Sequence, residues 1–253
     1  MKTFSEISAI LQAKSQETCS QMQQIEHLLV DSRKLFVPEN TLFVAIKGKN
    51  HDGHKFIEEL YEKGVRNFIV ENAKYLDQYL EQGVNFVEVK NSVKALQKIA
   101  AHHRGQFAYP VMAITGSNGK TIVKEWLTQL LSEDFNIVKS PKSYNSQIGV
   151  PLSVWQMRSD HSLGIFEAGI SQPKEMQNLQ NVIQPTIGIF TNLGTAHNEG
   201  FKSLEEKLEE KLILFQKCPI LYLYEPIFLQ YPKVVEKFRQ KNPTTRIIYW
   251  SYI

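Results

Sequence analysis

Cysteine is nearly absent from this sequence, with Cys19 and Cys218 the only two among 253 residues. They stand far apart and outside any metal-ligand spacing. That excludes a disulfide framework and a cysteine-based metal site, and it suits a reducing compartment. No apolar run approaches the roughly 18 residues of a membrane span. The opening Met-Lys-Thr-Phe-Ser-Glu also lacks the apolar core of a secretory signal. An excess of one charge is missing as well: 29 Lys and Arg face 26 Asp and Glu, a net charge of +3 spread along the chain. Such a balance admits small anionic ligands but argues for neither nucleic acid nor a membrane surface. No internal repeat or low-complexity tract occurs. The expectation is a soluble, cytoplasmic protein.

What is present is ordinary globular material, 42% hydrophobic and 22% charged. A chain of 253 residues is more than one compact core usually holds, which predicts two domains. Residues 4–13 read as a short helix, followed by a polar Gln-rich connection. Apolar runs at 25–30 and 41–46 read as strands, the second ending at the turn Lys47-Gly48-Lys49-Asn50. Residues 54–63 have helical spacing through Phe56, Ile57 and Leu60 and stop at Gly64. Strands follow at 67–71 and 85–89, then an amphipathic helix at 92–103. Gly105 to Pro110 breaks the pattern and predicts a boundary between domains 1–106 and 107–253.

Beyond that break, strands and helices alternate, as in a parallel sheet with crossover helices. Strands are predicted at 111–115, 136–138, 163–167, 186–191, 220–224 and 246–249. Helices are predicted at 120–131, 173–182, 204–215 and 232–240. The expected fold class is α/β: a small mixed N-terminal domain, then a central domain of phosphate-loop type with a mainly parallel sheet flanked by helices.

The chemistry starts at Thr115-Gly116-Ser117-Asn118-Gly119-Lys120-Thr121, between a buried strand and an amphipathic helix. Two glycines allow a tight turn whose N–H groups face a phosphate, and the helix adds the positive end of its dipole. Lys120 would reach the β- and γ-phosphates of ATP, and the Thr121 hydroxyl would join a Mg²⁺ shell. Ile114 stands where the common pattern places its first glycine. The strand-before, helix-after setting is what raises Gly-Lys-Thr above a solvated glycine turn.

This loop and several other segments resemble the Mur ligase family, and the likeness covers nearly the whole chain. The tract Tyr144-Asn145-Ser146-Gln147-Ile148-Gly149-Val150-Pro151 is most similar to the branch that adds D-alanyl-D-alanine to UDP-N-acetylmuramoyl-tripeptide. It departs by placing Ser143 and Ser146 where asparagines are common, so Asn145 is the one amide carried over as substrate-binding. The form most resembled is one fused to a C-terminal alanine racemase. The resemblance also implies that Glu167, at the end of Phe166-Glu167-Ala168-Gly169, holds Mg²⁺. Its place at the carboxyl edge of a strand is where ligands of open α/β sheets bind. A plain reading of Glu167 is an acid before the helix near Pro173, stabilised by that helix's dipole. His197, in Thr191-Asn192-Leu193-Gly194-Thr195-Ala196-His197, becomes a second Mg²⁺-site residue by resemblance, since chemistry alone favours a hydrogen-bonding loop histidine.

Lys211 is similar in position to the family's carbamoylated lysine, whose carbamate helps hold a second metal ion. Spacing alone reads Glu205 to Leu212 as a solvated helix with acid–base pairs at i,i+4, and Lys207 competes one turn earlier. This chain also lacks the Gly-Glu that often follows that lysine. In the first domain, Asp31-Ser32-Arg33 resembles the tract that holds the uridine end of the substrate, and Asn50-His51-Asp52-Gly53-His54-Lys55-Phe56 resembles the family's Asp-Gly-His-x-Phe motif. Each is an ordinary turn sequence by itself, but both in this order ahead of a phosphate loop are specific.

The resemblance implies an ATP- and Mg²⁺-dependent peptide ligase acting through an acyl phosphate, with catalytic roles for Lys120, Glu167, His197 and Lys211. It also implies a third, Rossmann-type domain, to which no segment here corresponds. The expectation is therefore a truncated ligase or a two-domain relic. A non-catalytic binding fragment and another amide ligase of the superfamily, such as a folylpolyglutamate synthase, stay open as alternatives. The uridine-site tracts speak against the folate branch.

Overall fold

The computed structural model describes residues 2–18, 24–194 and 200–251. The chain divides into two compact units, residues 1–99 and 100–253. The division falls inside a helix, ahead of the Gly105–Pro110 break that the sequence suggests.

The first unit begins with β1 (Lys2–Thr3) and α1 (Phe4–Leu11). Thr3 and Glu6 cap α1 reciprocally: the Thr3 hydroxyl accepts the Glu6 N–H at 3.2 Å and the Glu6 carboxylate accepts the Thr3 N–H at 2.7 Å. Then come β2 (Lys14–Gln16), β3 (Gln24–Ile25), β4 (His27–Leu29), β5 (Thr41–Val44), α2 (Ile57–Glu62), β6 (Asn67–Val70), β7 (Asn85–Glu88) and α3 (Ser92–Arg104). A five-stranded sheet in the order β2-β7-β6-β5-β4 carries this unit, parallel except for β2. Its three central strands, β5, β6 and β7, are buried almost throughout. Phe43, Phe68, Val70 and Phe86 pack with Ile57 and Leu60 of α2.

The helix predicted from residue 54 starts as a 3-10 turn over Gly53–Phe56 and is α-helical only in α2. The cause is local. The Asp52 carboxylate accepts the His54 N–H at 3.1 Å and tightens the turn. Gly53 lies against the end of β5, where an added Cβ would meet Ile46 N at 2.8 Å.

The second unit contains β8 (Val111–Thr115), α4 (Lys120–Leu131), β9 (Ile137–Lys139), α5 (Gly149–Val154), β10 (Leu163–Glu167), α6 (Met176–Ile183), β11 (Ile187–Phe190) and α7 (Leu204–Leu212). It ends with β12 (Ile220–Tyr224), α8 (Glu225–Gln230), α9 (Pro232–Lys241) and β13 (Arg246–Trp250). Six strands form a wholly parallel sheet in the order β13-β12-β11-β8-β10-β9. The central position of β8 puts its carboxyl end between those of β10 and β11.

Period-two alternation decides which side chains meet which helices. Val111 and Ala113 of β8 join the large core with Phe166, Leu179, Leu208 and Phe215. Ile114, Leu163 and Ile165 face the other way, toward Val123, Leu127 and Leu131 of α4. Glu167 continues the Leu163–Ile165 side of β10, which directs it toward the start of α4.

Three differences from the sequence reading have plain reasons. The helix expected from Pro173 starts at Met176, because Lys174 lies in the left-handed region (φ 70) and breaks the run. The stretch 204–215 is α-helical only to Leu212 and closes with a 3-10 turn over Ile213–Phe215. α5 and α8, absent from the prediction, are short helices of 6 residues each. Among the described residues no helix is long and apolar enough to cross a membrane.

Candidate active site

β8 ends at Thr115, and the chain turns through Gly116 at φ +151 and Gly119 at φ +81 into α4. A Cβ on Gly116 would lie 2.0 Å from Thr191 Oγ1, so only glycine fits there. The segment after β11 fixes the loop from behind. Asn192 O accepts the Ser117 N–H and Asn192 Oδ1 the Asn118 N–H, both at 2.9 Å. The Thr191 hydroxyl donates to Asn118 O at 2.7 Å, and the Ser117 hydroxyl bridges Gly194 N–H and C=O at 2.8 and 2.9 Å. These bonds fix the backbone of the loop at the N-terminus of α4, a place that suits an anion. Asn192 opens the tract that leads to His197 and is not itself a predicted site residue; its side chain and backbone hold the loop.

Lys120 Nζ donates to Gly116 O at 2.9 Å. Burial lowers the pKa of this lysine, while Glu167 opposes the shift. The Thr121 hydroxyl donates to Glu167 Oε2 at 3.0 Å, and Glu167 is fully buried. Its place beside Thr121 sets it at the start of α4 and not at the helix near Pro173, which begins only at Met176. Lys211 is buried too and donates to the same Gly116 O at 3.2 Å. Burial, with Lys120 and Lys207 nearby, brings its pKa down to about 7. Lys207, the competing candidate, donates instead to Gly194 O at 2.8 Å. The acid–base helix of the sequence reading therefore turns Lys207, Glu210 and Lys211 inward.

Asn145 lies over Gly169, two residues beyond Glu167: its backbone C=O accepts the Gly169 N–H at 2.8 Å. A Cβ on Gly169 would come within 2.9 Å of Asn145 Oδ1. Thr115, Lys120, Thr121, Asn145, Glu167 and Lys211 are therefore brought together. His197 lies outside the described residues.

Whether Mg²⁺ suits these residues can be judged from their donors. Glu167 Oε2 and the Thr121 hydroxyl offer hard oxygens in contact beside the loop. One carboxylate and one hydroxyl beside a phosphate site are donors of the kind Mg²⁺ takes together with phosphate oxygens and water. The residues fit the ion.

The first unit holds a separate cleft of about 450 Å³ lined by Val30, Asp31, Ser32, Arg33, His51 and Phe56. Arg33 forks onto Asp31 through Nε and Nη2 at 2.8 and 2.9 Å. That contact holds the Asp31 carboxyl down at about 2. His51 stacks on Phe56 with ring centroids 5.6 Å apart. Asp52 and Gly53 do not line the cleft. The Asp52 carboxylate binds His54 Nδ1 at 2.6 Å, and Gly53 packs on β5, so both shape the turn behind His51.

Two family models match the chain: one described as the Mur ligase middle domain over residues 114–244, the other as the Mur ligase family catalytic domain over 24–104. A curated relative from Borreliella burgdorferi, named UDP-N-acetylmuramoyl-tripeptide--D-alanyl-D-alanine ligase, is 34% identical over 226 residues, covering 84% of this chain and 47% of its own. The crystal structure of MurF from Acinetobacter baumannii superposes with a TM-score of 0.83 at 25% identity, covering 98% of this chain and 53% of that one. The MurF ligase from Thermotoga maritima, solved with ADP, gives 0.75 at 27% identity over 90% of this chain and 50% of its own. The chain spans about half the length of the curated relatives it matches.

Proposed function

The chain belongs to the Mur ligase family, and from that membership we propose that it carries the UDP-substrate and ATP sites of a ligase joining D-alanyl-D-alanine to UDP-N-acetylmuramoyl-tripeptide. The observation that carries this reading is the meeting of Lys120, Thr121, Glu167 and Lys211 at one phosphate loop. A curated relative of that name, at 34% identity, supports it.

In the reaction, the terminal carboxylate of the tripeptide attacks the γ-phosphorus of ATP and releases ADP, leaving an acyl phosphate. The amine of D-alanyl-D-alanine then attacks the acyl carbon and expels phosphate. The residues on this chain position reactants and balance charge. The loop N–H groups and the start of α4 cradle the phosphates, and Lys120 spreads positive charge over the β- and γ-groups. Glu167 Oε2 and Thr121 present an oxygen face toward that site. Mg²⁺ bound there, with His197 as a further ligand, would lower the repulsion between carboxylate and triphosphate.

Lys211 has the chemistry of a carbamate site. With a pKa near 7 much of it is a neutral amine, which adds to CO₂ to give a carbamate and a released proton. Asn145 would bind substrate in the second unit, and the cleft of Asp31, Ser32, Arg33 and His51 would bind the uridine group in the first, with Asp52 and Gly53 shaping that cleft from behind.

Ligation by the whole protein with ATP, Mg²⁺, UDP-N-acetylmuramoyl-tripeptide and D-alanyl-D-alanine, followed by mass spectrometry, tests the proposal. The pentapeptide product is expected together with one phosphate released per bond formed. Lys120→Ala is expected to lose about a hundredfold or more in kcat. Near-normal turnover in that variant, or no product from the unaltered protein, refutes the reading.

A further inference from the structure

Four residues into α4 from Lys120 stands a second lysine that the phosphate chemistry does not use. Lys124 is wholly buried, which is costly for an ammonium unless the surroundings repay it. Here they are entirely oxygen. Nζ lies 2.8 Å from Ser140 O, 3.0 Å from Glu167 Oε1 and 3.1 Å from Glu125 Oε1. It also donates to Lys142 O. The contact with Glu167 Oε1 is an ion pair by distance without hydrogen-bond direction, since that oxygen makes no hydrogen bond.

Glu167 therefore has two unlike oxygens. Oε2 faces Thr121 and the phosphate loop. Oε1 faces an ammonium that sits where a cation would otherwise collect. Two carbonyls and two carboxylate oxygens around one point are the ligands a hard ion seeks. The Glu167 N–H donates to Ser140 Oγ at 3.2 Å, so the same hub fixes the backbone on both sides of the pair.

We propose that Lys124 is a built-in counter-cation and positioning residue. It fills an oxygen cage behind Glu167, closes Oε1 to metal, and leaves Oε2 as the single oxygen that Glu167 can offer to a divalent ion at the phosphate loop. This rests on the reading of Thr121 and Glu167 as a cation-facing pair. The consequence is selectivity. Mg²⁺ accepts one oxygen from a carboxylate in a strict octahedron, whereas Ca²⁺ takes more ligands and often both carboxylate oxygens. A Glu167 restricted to one oxygen favours the smaller ion.

The test is calorimetric binding of ADP to the whole protein at matched Mg²⁺ or Ca²⁺, comparing the unaltered protein with Lys124→Met and with Lys124→Gln, which keeps an N–H donor for Ser140 O. The unaltered protein is expected to bind ADP more tightly with Mg²⁺. In both variants that preference should fall by about tenfold, as for other outer-shell partners of metal ligands. Loss of stability with the Mg²⁺ to Ca²⁺ ratio unchanged would make Lys124 merely structural and overturn the proposal. If neither ion alters ADP binding to the unaltered protein, the cation-facing reading itself fails, and this proposal with it. Should neither variant fold, a crystal structure of the unaltered protein with Mg²⁺ and ADP decides. Glu167 ligating through Oε2 alone, with Lys124 on Oε1, supports the proposal; Glu167 ligating through both oxygens overturns it.

Discussion

Gly116 shows how little freedom the phosphate loop has. Its φ of +151 and the Thr191 hydroxyl 2.0 Å from any added Cβ leave no room for a methyl group. Gly116→Ala must push Thr191 away and break its bond to Asn118 O, the contact that shapes the loop. An overpacking cost of about 1–3 kcal/mol is expected in urea denaturation, together with weakened ADP binding by calorimetry. Gly119→Ala has space for the methyl group but a strained φ of +81, so it should lose less stability.

Lys211 gives a different kind of prediction. If its carbamate supplies a metal ligand, Lys211→Ala should lose ligation activity and regain part of it when a small carboxylic acid such as formate is added. Activity equal to the unaltered enzyme without any added acid would remove the role. Cys218 is buried, and burial pushes its thiol up to about 11. In a Cys19→Ser variant at pH 8, Cys218 is therefore expected to resist maleimide until denaturant is added; rapid labelling of native protein would contradict its burial.

α7 and α6 are joined by one buried acid. Glu210 Oε1 accepts the Met176 N–H at 3.0 Å and so caps the start of α6 from a neighbouring helix. Glu210→Ala leaves that N–H buried and unpaired, and a loss of about 1.5–3 kcal/mol is expected in urea denaturation. An effect within experimental error would show that the start of α6 finds another acceptor.

Those same helices show what sequence could and could not reveal. β8, α4, β10 and β12 were legible to the residue, because long apolar runs and a strong phosphate-loop turn mark them. The inward turn of Lys207, Glu210 and Lys211 was hidden, since i,i+4 acid–base spacing looks the same on a solvated face. What pulls the two lysines in is the carbonyls of Gly116 and Gly194, and what holds Glu210 is the Met176 N–H, all supplied by segments outside the helix. Lys124 was invisible for the same reason: all its oxygens but that of Glu125 come from beyond α4. The shape of the cleft around Asp31 was half legible. Asp31, Ser32, Arg33, His51 and Phe56, all within the two resembling tracts, line it, whereas Asp52 and Gly53 of the second tract turn away and Val30 joins from the end of a strand.

The two units each hold a site for a different part of the proposed reaction, and ligands should report on them separately. A ligand that binds only the native state stabilises the elements around its site, and local protection follows. ADP with Mg²⁺ should slow amide hydrogen exchange at residues 115–121, at 167–169 and at 191–194, where loop, acid and supporting segment interlock through hydrogen bonds. UDP alone should slow it at 30–33 and 51–56, where the Asp31–Arg33 fork and the His51–Phe56 stack line the cleft. Each ligand is also expected to raise the denaturant midpoint of its own segments more than the other's. If UDP protects the phosphate-loop segments and leaves 30–33 unchanged, the uridine site is misassigned. If ADP protects neither set, the loop is a glycine turn with a buried lysine, and the Glu167–Lys124 pair belongs to packing rather than to catalysis.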